Sequence, residues 1–370
     1  MDDTAPKRYT VLITGGAGFL GRAIVRELLE HPQRAGIHPR QIRVFDLDPY
    51  KLLRYGDIAE AKCLRFVRGD IRDGEKLLKA VEGVDVVIHC AASVDWAPHR
   101  KKALHEINVS GTENVIRACV ENDVKALVHT STLDVVYTGK PIRDADERQP
   151  YAQNHVTDYC ATKTVAEKSV LAANGLTQKD DGSLRRGPLA TTALRPCGMF
   201  GEADPFHISS LIHLAKKRML FRIGDGSAKF QHVYVGNVAH ALLMAARDLL
   251  EGEAASAGKA YFVTDFPAAN FFEYLEPIIT GAGYKMHPKA WSLPRDPMYG
   301  LGWLVEKVSA LVSPVFPFTP TVSRFSVNFL CVDFTFKTDK AKRDFGYEPV
   351  YSEREAITRT TRWFRTHGPV

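Results

Sequence analysis

Tyr159 and Lys163 are the two residues whose types and spacing most directly indicate chemistry. They stand four residues apart in DYCATK (158–163), inside a predicted helix over 156–174, so their side chains share one face of that helix. A free tyrosine has a pKa near 10 and is a poor base at pH 7. An ammonium about 6 Å away, at an effective dielectric of about 20, stabilises the phenolate by roughly 3 kcal/mol, which lowers the tyrosine pKa by about two units. The pair therefore predicts proton transfer by Tyr159 with Lys163 as its activator, although a surface helix can show the same spacing.

The hydroxyl groups of Ser131 and Thr132 stand at the end of a predicted strand, KALVHTST (125–132). Groups that bind a ligand in a parallel sheet lie beyond the carboxyl ends of the strands. Thr132 or Ser131 would hydrogen-bond the reacting hydroxyl while Tyr159 handles its proton. Such hydroxyls often cap loop backbone instead. Together with the Tyr/Lys pair, their position favours catalysis.

A glycine-rich loop, TGGAGFLG (14–21), follows a predicted strand and opens a helix. Glycines spaced three residues apart let the backbone turn tightly and approach a pyrophosphate without a Cβ in the way. The first N–H groups of the helix and its partial positive charge would bind the phosphates. The strand before and the helix after are the context that a dinucleotide site requires. The residues of this predicted site are Gly15, Gly18, Phe19, Leu20 and Gly21.

Asp46 indicates which dinucleotide binds. It lies near the end of the next predicted strand, IRVFDLD (42–48). Its carboxylate would accept hydrogen bonds from the adenosine ribose and repel a 2′-phosphate, and Leu47 after it supplies no cation. Arg22 and Arg43, which are near in sequence, are cations and therefore weaken the argument that a 2′-phosphate is repelled. We therefore expect NAD rather than NADP, and its oxidised nicotinamide would supply the remaining positive charge beside the catalytic tyrosine.

Strand-like and helix-like segments alternate along the first two thirds of the chain, which predicts βαβ units. The expected fold class is α/β, a Rossmann-type doubly wound, mainly parallel sheet with a smaller C-terminal substrate-binding lobe. QKDDGSLRRG (178–187) is expected to be a charged loop, and AYFVTD (260–265) the last strand of the sheet. The expected domains are an NAD-binding domain (1–200), a lobe (201–235 and 266–335), a helix and strand returning to the first domain (236–265), and a C-terminal helical segment (336–370).

Composition excludes several classes of protein. Of the 370 residues, 45% are hydrophobic and 25% charged, which excludes a disordered, collagen-like or polytopic membrane protein. The net charge of +6 is thinly spread, so no nucleic-acid partner is expected. The six cysteines are dispersed and the N-terminus has no apolar signal segment, which favours a cytoplasmic protein with reduced thiols. Neither cysteines nor histidines show metal-ligand spacing, so no metal is expected.

These motifs together resemble the extended short-chain dehydrogenases/reductases, and within them the 3β-hydroxysteroid dehydrogenase/isomerase family. The resemblance runs from the glycine loop to FGYEPVYSEREA (345–356). The motifs that carry it, besides those above, are GDIRD (69–73), HCAAS (89–93), NVSGT (108–112), LRPCGMFG (194–201), HVYVGNVAHALLMAAR (232–247) and FKTDKAKRDFGYEP (336–349).

The resemblance implies roles for individual residues. Tyr159 would be the base or acid, Lys163 its activator and ribose anchor, and Thr132 the hydroxyl partner, at a position where the family often has serine. The loop after HTST is longer than usual (133–151), so substrate contacts there are not carried over. The implied nucleotide contacts are Asp70 and Ile71 beside the adenine, Ala91 and Ala92 along the nucleotide, Asn108 supporting the active-site helix, and Pro196 and Cys197 along the nicotinamide.

The implied activity is NAD-dependent oxidation of a secondary alcohol, or its reversal, on an apolar substrate such as a 3β-hydroxysteroid or sterol. A 2-alkyl-3-oxoalkanoate reductase and a sterol 4α-carboxylate 3-dehydrogenase remain alternatives. A non-enzymatic NAD-binding sensor is the alternative from another class, but a sensor has no need of Thr132, Tyr159 and Lys163. The direction of the reaction and an accompanying isomerisation stay open.

Segment 298–318 carries an apolar stripe at helical spacing. The favoured interpretation is a lid or wall of an apolar substrate pocket. The alternative is a helix that lies on a membrane surface, and a homodimer is also left open. Glu306, Lys307 and three prolines argue against a membrane-spanning helix. The stripe consists of Leu301, Leu304, Val305, Val308, Leu311, Val312 and Val315.

Overall fold

A parallel β-sheet lies at the centre of the protein. The computed structural model describes residues 6–49, 61–95, 101–178, 184–312 and 322–370. The strands of these residues are β1 (Arg8–Thr14), β2 (His38–Asp46), β3 (Leu64–Arg68), β4 (Val86–His89), β5 (Ala126–Thr130), β6 (Ile142–Ala145), β7 (Leu176–Gln178), β8 (Leu184–Arg186), β9 (Ala190–Pro196), β10 (Gly198–Phe200), β11 (His232–Tyr234), β12 (Lys259–Val263) and β13 (Phe334–Phe336).

Helices cover both faces of this sheet. A π-helical turn (Glu106–Ser110) separates α4 from α5, and short 3₁₀ turns occupy Leu133–Val136 and Lys289–Trp291. The helices of the described residues are α1 (Phe19–Glu30), α2 (Pro32–Ala35), α3 (Gly74–Val81), α4 (Lys101–His105), α5 (Gly111–Glu121), α6 (Asp158–Ala172), α7 (His207–Lys216), α8 (Val235–Glu251), α9 (Phe271–Gly281), α10 (Arg295–Val312), α11 (Arg324–Cys331), α12 (Asp339–Phe345) and α13 (Glu353–His367).

The central sheet has the strand order β3-β2-β1-β4-β5-β9-β12, and every neighbouring pair is parallel. Alternate residues of each strand enter opposite cores, as the pleat requires. On β1, Val11 and Ile13 join one core with helices α1 and α8, whereas Leu12 joins the other with α3 and α5. The predicted doubly wound Rossmann-type fold is therefore confirmed.

Two predicted loops contain regular structure. The segment expected to be a charged loop (178–187) begins and ends in an antiparallel pair, β7 and β8, so that expectation is wrong at its edges. Between them, residues 179–183 lie outside the described part. The long loop after HTST contains β6, which pairs with β13 near the end of the chain. This pairing joins the loop to the C-terminal region, a long-range contact that local sequence patterns do not reveal.

Helix α10 directs most of its apolar stripe outward, which contradicts a pocket wall, whereas the interpretation as a lid stays a prediction. Leu304 is 52% exposed and Leu311 is 82% exposed. The buried residues of this helix are Gly302 and Ser309. A Cβ on Gly302 would lie 2.8 Å from the Ser323 backbone, so only a glycine allows the helix to come this close. Val315 and the three prolines lie outside the described residues. Within the described ranges, no helix combines the length and apolarity needed to cross a membrane.

A buried ion pair connects helix α6 to strand β9. The Arg195 guanidinium donates to both carboxylate oxygens of Glu167, at 2.6 to 3.2 Å, and the two side chains are 4% and 0% exposed. The Tyr151 hydroxyl donates to the same carboxylate at 2.6 Å. Removing one partner of such a pair leaves a charge buried without compensation. The pair therefore holds the helix that carries the predicted catalytic residues against the sheet.

We expect Arg195→Met to lower the free energy of unfolding by about 3–5 kcal/mol, because Glu167 would remain buried and charged. The double variant Glu167→Gln/Arg195→Met should be less destabilised than Arg195→Met alone. Urea denaturation followed by circular dichroism measures both. Arg148→Met, which breaks an ion pair with an exposed guanidinium, is the control and should unfold like the wild type. Equal destabilisation of the single and double variants would contradict this role for the pair.

Candidate active site

Helix α6 carries Tyr159 and Lys163 to the carboxyl end of β5. The Thr157 side chain caps the helix. Tyr159 and Lys163 are 7% and 3% exposed. The Lys163 ammonium donates to the carbonyl oxygen of Thr130 at 2.8 Å and lies 3.2 Å from Nε2 of His129. The structure thus brings the predicted pair to the predicted strand end.

Burial sets the charge state around Lys163. It lowers the pKa of Lys163 to about 8, while Glu167 and Cys90 act in the opposite direction. Burial, assisted by the charge of Lys163, also lowers the pKa of His129 well below its usual value. His129 is therefore neutral at pH 7, and its Nε2 accepts a hydrogen bond from the ammonium.

A second buried histidine, His89, lies beside His129 and was missed by the sequence analysis. Its Nδ1 lies 2.7 Å from Oγ1 of Thr14, and its Nε2 lies 3.0 Å from Oγ1 of Thr112. The two histidine rings are 5.1 Å apart, because His89 and His129 occupy the same register on neighbouring parallel strands. The signal was present in the sequence, since each histidine follows three apolar residues of a strand (VVIH and ALVH).

Burial is the largest influence on the pKa of Tyr159. Burial raises it, Asp134 and Cys160 raise it further, and a hydrogen bond with Thr132 acts in the opposite direction. Lys163 is not among the groups that shift this pKa, and the expected lowering, which also includes the charge of an oxidised nicotinamide, stays a prediction. The ammonium is directed at the Thr130 carbonyl, and withdrawal of the phenolate from water outweighs more distant charges.

Asp134 is a buried acidic residue next to Thr132 that the sequence analysis did not consider. The Thr132 hydroxyl donates to Oδ2 of Asp134 at 3.0 Å and accepts from the Asp134 backbone N–H at 3.2 Å. The side chain is buried, and burial raises its pKa to about 6 despite the hydrogen bond from Thr132. A carboxylate inside the apolar run LDVV was the available signal. Tyr159, Thr132 and Asp134 are thus connected through hydrogen bonds.

Ser131, the other predicted hydroxyl, is buried next to Thr132. Its backbone N–H donates to the Leu194 carbonyl at 2.7 Å. Its buried Oγ has no hydrogen-bond partner in the part of the chain that the structure describes. Of the two predicted hydroxyls, Thr132 is therefore the one joined to Tyr159.

The glycine loop has the close approach that was predicted for it. Gly15 has a φ of +67°, and a Cβ there would lie 2.8 Å from Cα of Ala91. A Cβ on Gly21 would lie 2.3 Å from the Gly15 carbonyl oxygen. Gly18 precedes α1 and supplies no side-chain cap. The first N–H groups of α1, those of Phe19 and Leu20, therefore lie at an uncapped helix N-terminus, the usual position for a phosphate.

Asp46 lies next to this loop. Its Oδ2 accepts from the Ala17 N–H at 3.0 Å, which places the carboxylate at the carboxyl end of β2. Leu47 is 62% exposed. The guanidinium of Arg43, a cation that argued against NAD, donates to the carbonyl oxygens of Ala80 and Glu82 at 2.8 and 2.6 Å and is occupied there.

Two further cations lie in this region. Arg68, which the sequence analysis did not consider, donates to the Leu47 carbonyl at 3.1 Å. Arg22, the other arginine weighed against NAD, lies 3.4 Å from the Ala203 carbonyl oxygen.

Comparison with known proteins identifies the family. The family model described as "3-beta hydroxysteroid dehydrogenase/isomerase family" matches residues 12–295. The chain belongs to this family. The membership confirms the predicted resemblance and the predicted enzyme class, a dehydrogenase/reductase.

Similar proteins cover nearly the whole chain. Short-chain dehydrogenase/reductase family 42E member 1 of Xenopus laevis is 34% identical, over 100% of this chain and 91% of its own length. The 3 beta-hydroxysteroid dehydrogenase type 7 of Homo sapiens is 35% identical, over 98% and 97%. The 3beta-hydroxysteroid-dehydrogenase/decarboxylase isoform 1 of Arabidopsis thaliana is 34% identical, over 97% and 80%.

A solved structure has the same fold. DesIV, a dTDP-glucose 4,6-dehydratase from Streptomyces venezuelae solved with NAD and TYD bound, superposes with a TM-score of 0.70. The sequences are 22% identical, and the match covers 97% of each chain. At this identity the likeness bears on the fold alone.

The family resemblance placed Asp70 and Ile71 beside an adenine. The Asp70 carboxylate accepts from the Arg72 guanidinium at 2.6 to 3.1 Å, and these hydrogen bonds lower its pKa. Ile71 is 5% exposed and packs against Gly111, where a Cβ would lie 2.5 Å from its side chain. The Ile71 side chain is therefore part of the core, and an adenine contact by this pair remains a proposal.

The other residues implied by the family lie around the carboxyl end of the sheet. Asn108 exchanges two hydrogen bonds with the Ser93 backbone and donates to Oγ1 of Thr162 on α6 at 3.2 Å. It therefore joins the loop after β4 to the helix of Tyr159. Ala91 abuts the glycine loop and Ala92 is exposed, while Pro196 and Cys197 are buried at the end of β9.

Cys160 behaves as a packing residue rather than a nucleophile. Its side chain is fully buried, and burial raises the pKa of its thiol. All six cysteines are free thiols. In the described ranges, no group of three or more histidine, cysteine, aspartate or glutamate side chains is arranged to hold a metal ion.

We expect Asp46→Ala/Leu47→Arg to shift the cofactor preference, measured as the ratio of kcat/KM with NAD to that with NADP, towards NADP by at least tenfold. The substitution removes the carboxylate that would repel a 2′-phosphate and adds a cation where Leu47 is exposed. Leu47→Gln, which keeps Asp46 and adds no charge, is the matched control. A wild type that already prefers NADP would refute the assignment of Asp46.

Proposed function

We propose that this protein is an NAD-dependent oxidoreductase that interconverts a secondary alcohol and its ketone, with a 3β-hydroxysteroid or sterol as substrate. The observation that carries the proposal is the surroundings of Tyr159. Its phenol is hydrogen-bonded to Thr132, and its ring packs in an apolar cluster with Leu104, Cys160, Val94 and Phe325. A proton-transfer group in such a cluster suits an apolar substrate with one reacting oxygen.

The glycine loop and its surroundings fit NAD. Gly15 and Gly21 leave no room for a Cβ, and the uncapped N-terminus of α1 lies beside them. Asp46 would bind the adenosine ribose and Lys163 the nicotinamide ribose. When bound, NAD accepts the hydride of the alcohol carbon or returns it to the ketone.

The residues of the chain handle the proton. Tyr159 takes the hydroxyl proton in oxidation and returns it in reduction, with Thr132 hydrogen-bonded at its oxygen. Lys163 is held by the Thr130 carbonyl, so its charge stays at a fixed position on the same face of α6. Phe325, which comes from α11, packs against the apolar cluster that contains the Tyr159 ring. General acid–base catalysis of this kind typically contributes about 10²- to 10⁴-fold.

A sterol 4α-carboxylate is a second candidate substrate. The Arabidopsis thaliana relative is named a dehydrogenase/decarboxylase. Oxidation of the 3-hydroxyl of a 4-carboxysterol gives a β-keto acid, which loses carbon dioxide readily. The same Tyr159 chemistry would serve both substrates.

The experiment is NADH absorbance with a panel of 3β-hydroxysteroids, 4-carboxysterols and 2-alkyl-3-hydroxy acids. We expect turnover of a sterol-class substrate, and Tyr159→Phe should lower kcat by at least 10²-fold while NAD affinity stays unchanged, because the phenol is the acid–base group. Val156→Ala, which shortens an exposed side chain three residues earlier, is the control. NAD binding without turnover of any member of the panel would favour a sensor. More than a tenth of wild-type kcat in Tyr159→Phe would refute the assignment.

We further propose that α10 rests on a membrane surface from which an apolar substrate is taken. Leu301, Leu304, Val308 and Leu311 lie on one face of the helix, each between 44% and 82% exposed. Apolar side chains gain about 25 cal/mol per Å² on leaving water. Trp303, 48% exposed, adds the residue type enriched at membrane interfaces. The protein would then be cytoplasmic with a peripheral membrane contact.

We expect Leu304→Asp/Leu311→Asp to release the protein from phosphatidylcholine/phosphatidylserine vesicles in a flotation assay, because charged residues would enter the interface. Met219→Asp, at an apolar residue of 59% exposure outside α10, should float like the wild type. The KM for a short, water-soluble substrate should stay unchanged. If flotation is unaffected but the double variant changes from dimer to monomer in light scattering, a second copy covers this face and the membrane contact is wrong.

A further inference from the structure

Asp134 stands at the end of a hydrogen-bonded line of hydroxyls that begins at Tyr159. Tyr159 is hydrogen-bonded to Thr132, and Thr132 donates to Oδ2 of Asp134 at 3.0 Å. The carboxylate is 8% exposed, and its Oδ1 has no hydrogen-bond partner among the described residues. A buried carboxylate ordinarily has its hydrogen bonds or an ion pair satisfied. This one, with a free lone pair and no cation bonded to it in the described part, is not explained by packing.

The hydroxyl of Thr132 has a defined hydrogen-bond polarity. A threonine hydroxyl offers one donor and two acceptor sites. Its proton goes to Asp134 Oδ2, and one acceptor site is used by the Asp134 backbone N–H. Thr132 therefore has one acceptor site left, which can receive the proton of Tyr159. With Asp134 ionised, both protons of the line point from Tyr159 towards the carboxylate.

We infer that Asp134 is the terminal proton acceptor in oxidation and the terminal donor in reduction, acting on Tyr159 through the Thr132 hydroxyl. This inference rests on the proposed function, because it needs Tyr159 as the group that meets the substrate oxygen. Tyr159, Thr132 and Asp134 then form one proton relay. Because Tyr159 passes its own proton to Thr132, it does not have to be a phenolate before the reaction.

The proton count balances in both directions. In oxidation the C–H bond breaks with transfer of a hydride to NAD, and the alcohol O–H proton moves to Oη of Tyr159. The Tyr159 proton passes to Oγ1 of Thr132, and the Thr132 proton passes to Oδ2 of Asp134. The products are the ketone, NADH and a neutral Asp134. In reduction each proton moves back by one position, and the carboxylate is restored.

The pKa values of the groups in the relay fit Asp134 as the terminal proton acceptor. Burial raises the pKa of Asp134 to about 6, whereas burial and Asp134 together raise that of Tyr159. The carboxylate is thus a far better resting base than the phenol at pH 7. The titratable groups that interact with the Asp134 carboxylate are Tyr159 and Cys160 of α6, Cys197 after β9, and Tyr137 at the end of its own turn. Arg295 and Tyr299 of α10 also shift the pKa of Tyr137.

The sign of the pH dependence follows from the relay. Oxidation needs the ionised carboxylate, so kcat/KM for the alcohol should fall tenfold per pH unit below about pH 6. Reduction needs the neutral acid, so kcat/KM for the ketone should fall as pH rises above the same value. Lys163, with a pKa of about 8, would produce a separate step at higher pH.

The test compares pH profiles of kcat/KM, at saturating NAD, for the best alcohol of the panel and its ketone. In Asp134→Asn, a neutral amide of the same shape, we expect the step near pH 6 to vanish and kcat to fall about 10²-fold. Thr132→Val should have the same effect because it interrupts the line, and Thr132→Ser should retain the step. Asp158→Asn, beside Tyr159 in sequence but paired with Lys101 at 3.8 Å, is the matched control and should keep the wild-type profile.

Two outcomes would overturn the relay. One is a step near pH 6 that persists in Asp134→Asn, and the other is a kcat within threefold of wild type in both Asp134→Asn and Thr132→Val. If Tyr159→Phe is inactive under those outcomes, only the relay fails, whereas an active Tyr159→Phe would refute the proposed function. NADH binding and the thermal unfolding midpoint establish that each variant is folded. Should Asp134→Asn not fold, the comparison of Thr132→Val with Thr132→Ser decides.

Discussion

The hydrogen bond from the Lys163 ammonium to the Thr130 carbonyl fixes the arrangement on which the site depends. It joins helix α6 to the carboxyl end of β5 over 2.8 Å, inside the protein. An ammonium withdrawn from water must be hydrogen-bonded, and the Thr130 carbonyl and His129 satisfy it. His129 in turn must be neutral, which burial ensures. The position of Tyr159, one helical turn earlier, follows from this contact.

The same helix is held a second time, one turn beyond Lys163. Glu167 forms the buried pair with Arg195 of β9 and also opposes the fall in the pKa of Lys163. Catalytic groups need a position fixed to a fraction of an ångström, and a helix bonded to two neighbouring strands provides it. Phe325, from helix α11, packs against the apolar cluster that contains Tyr159. The site is therefore rigid towards the sheet and apolar towards the substrate.

The family membership and the geometry support different levels of the function. The glycine loop and the Tyr/Lys pair are features of the whole superfamily, and the DesIV fold shows that similar scaffolds serve sugar nucleotides. The proposed preference for a steroid would have to come from other parts of the chain, and the outward face of α10 is the part that we propose for membrane contact. The acid–base behaviour depends on a third feature, the carboxylate of Asp134. Fold, substrate and proton chemistry thus reside in different parts of one chain.

The sequence by itself determined the strand and helix pattern, the glycine loop, Asp46 and the Tyr159/Lys163 pair. These depend on periodicity and spacing within a few residues, which local sequence records. Only the tertiary structure decided that Thr132 and Asp134 lie beside Tyr159, that His89 lies beside His129, and that the stripe of α10 faces outward. It also showed that burial raises the pKa of Tyr159 in the chain without a cofactor. Each of these depends on burial and on contacts between segments far apart in the chain, and a spacing rule carries no information about how deeply a group is removed from water.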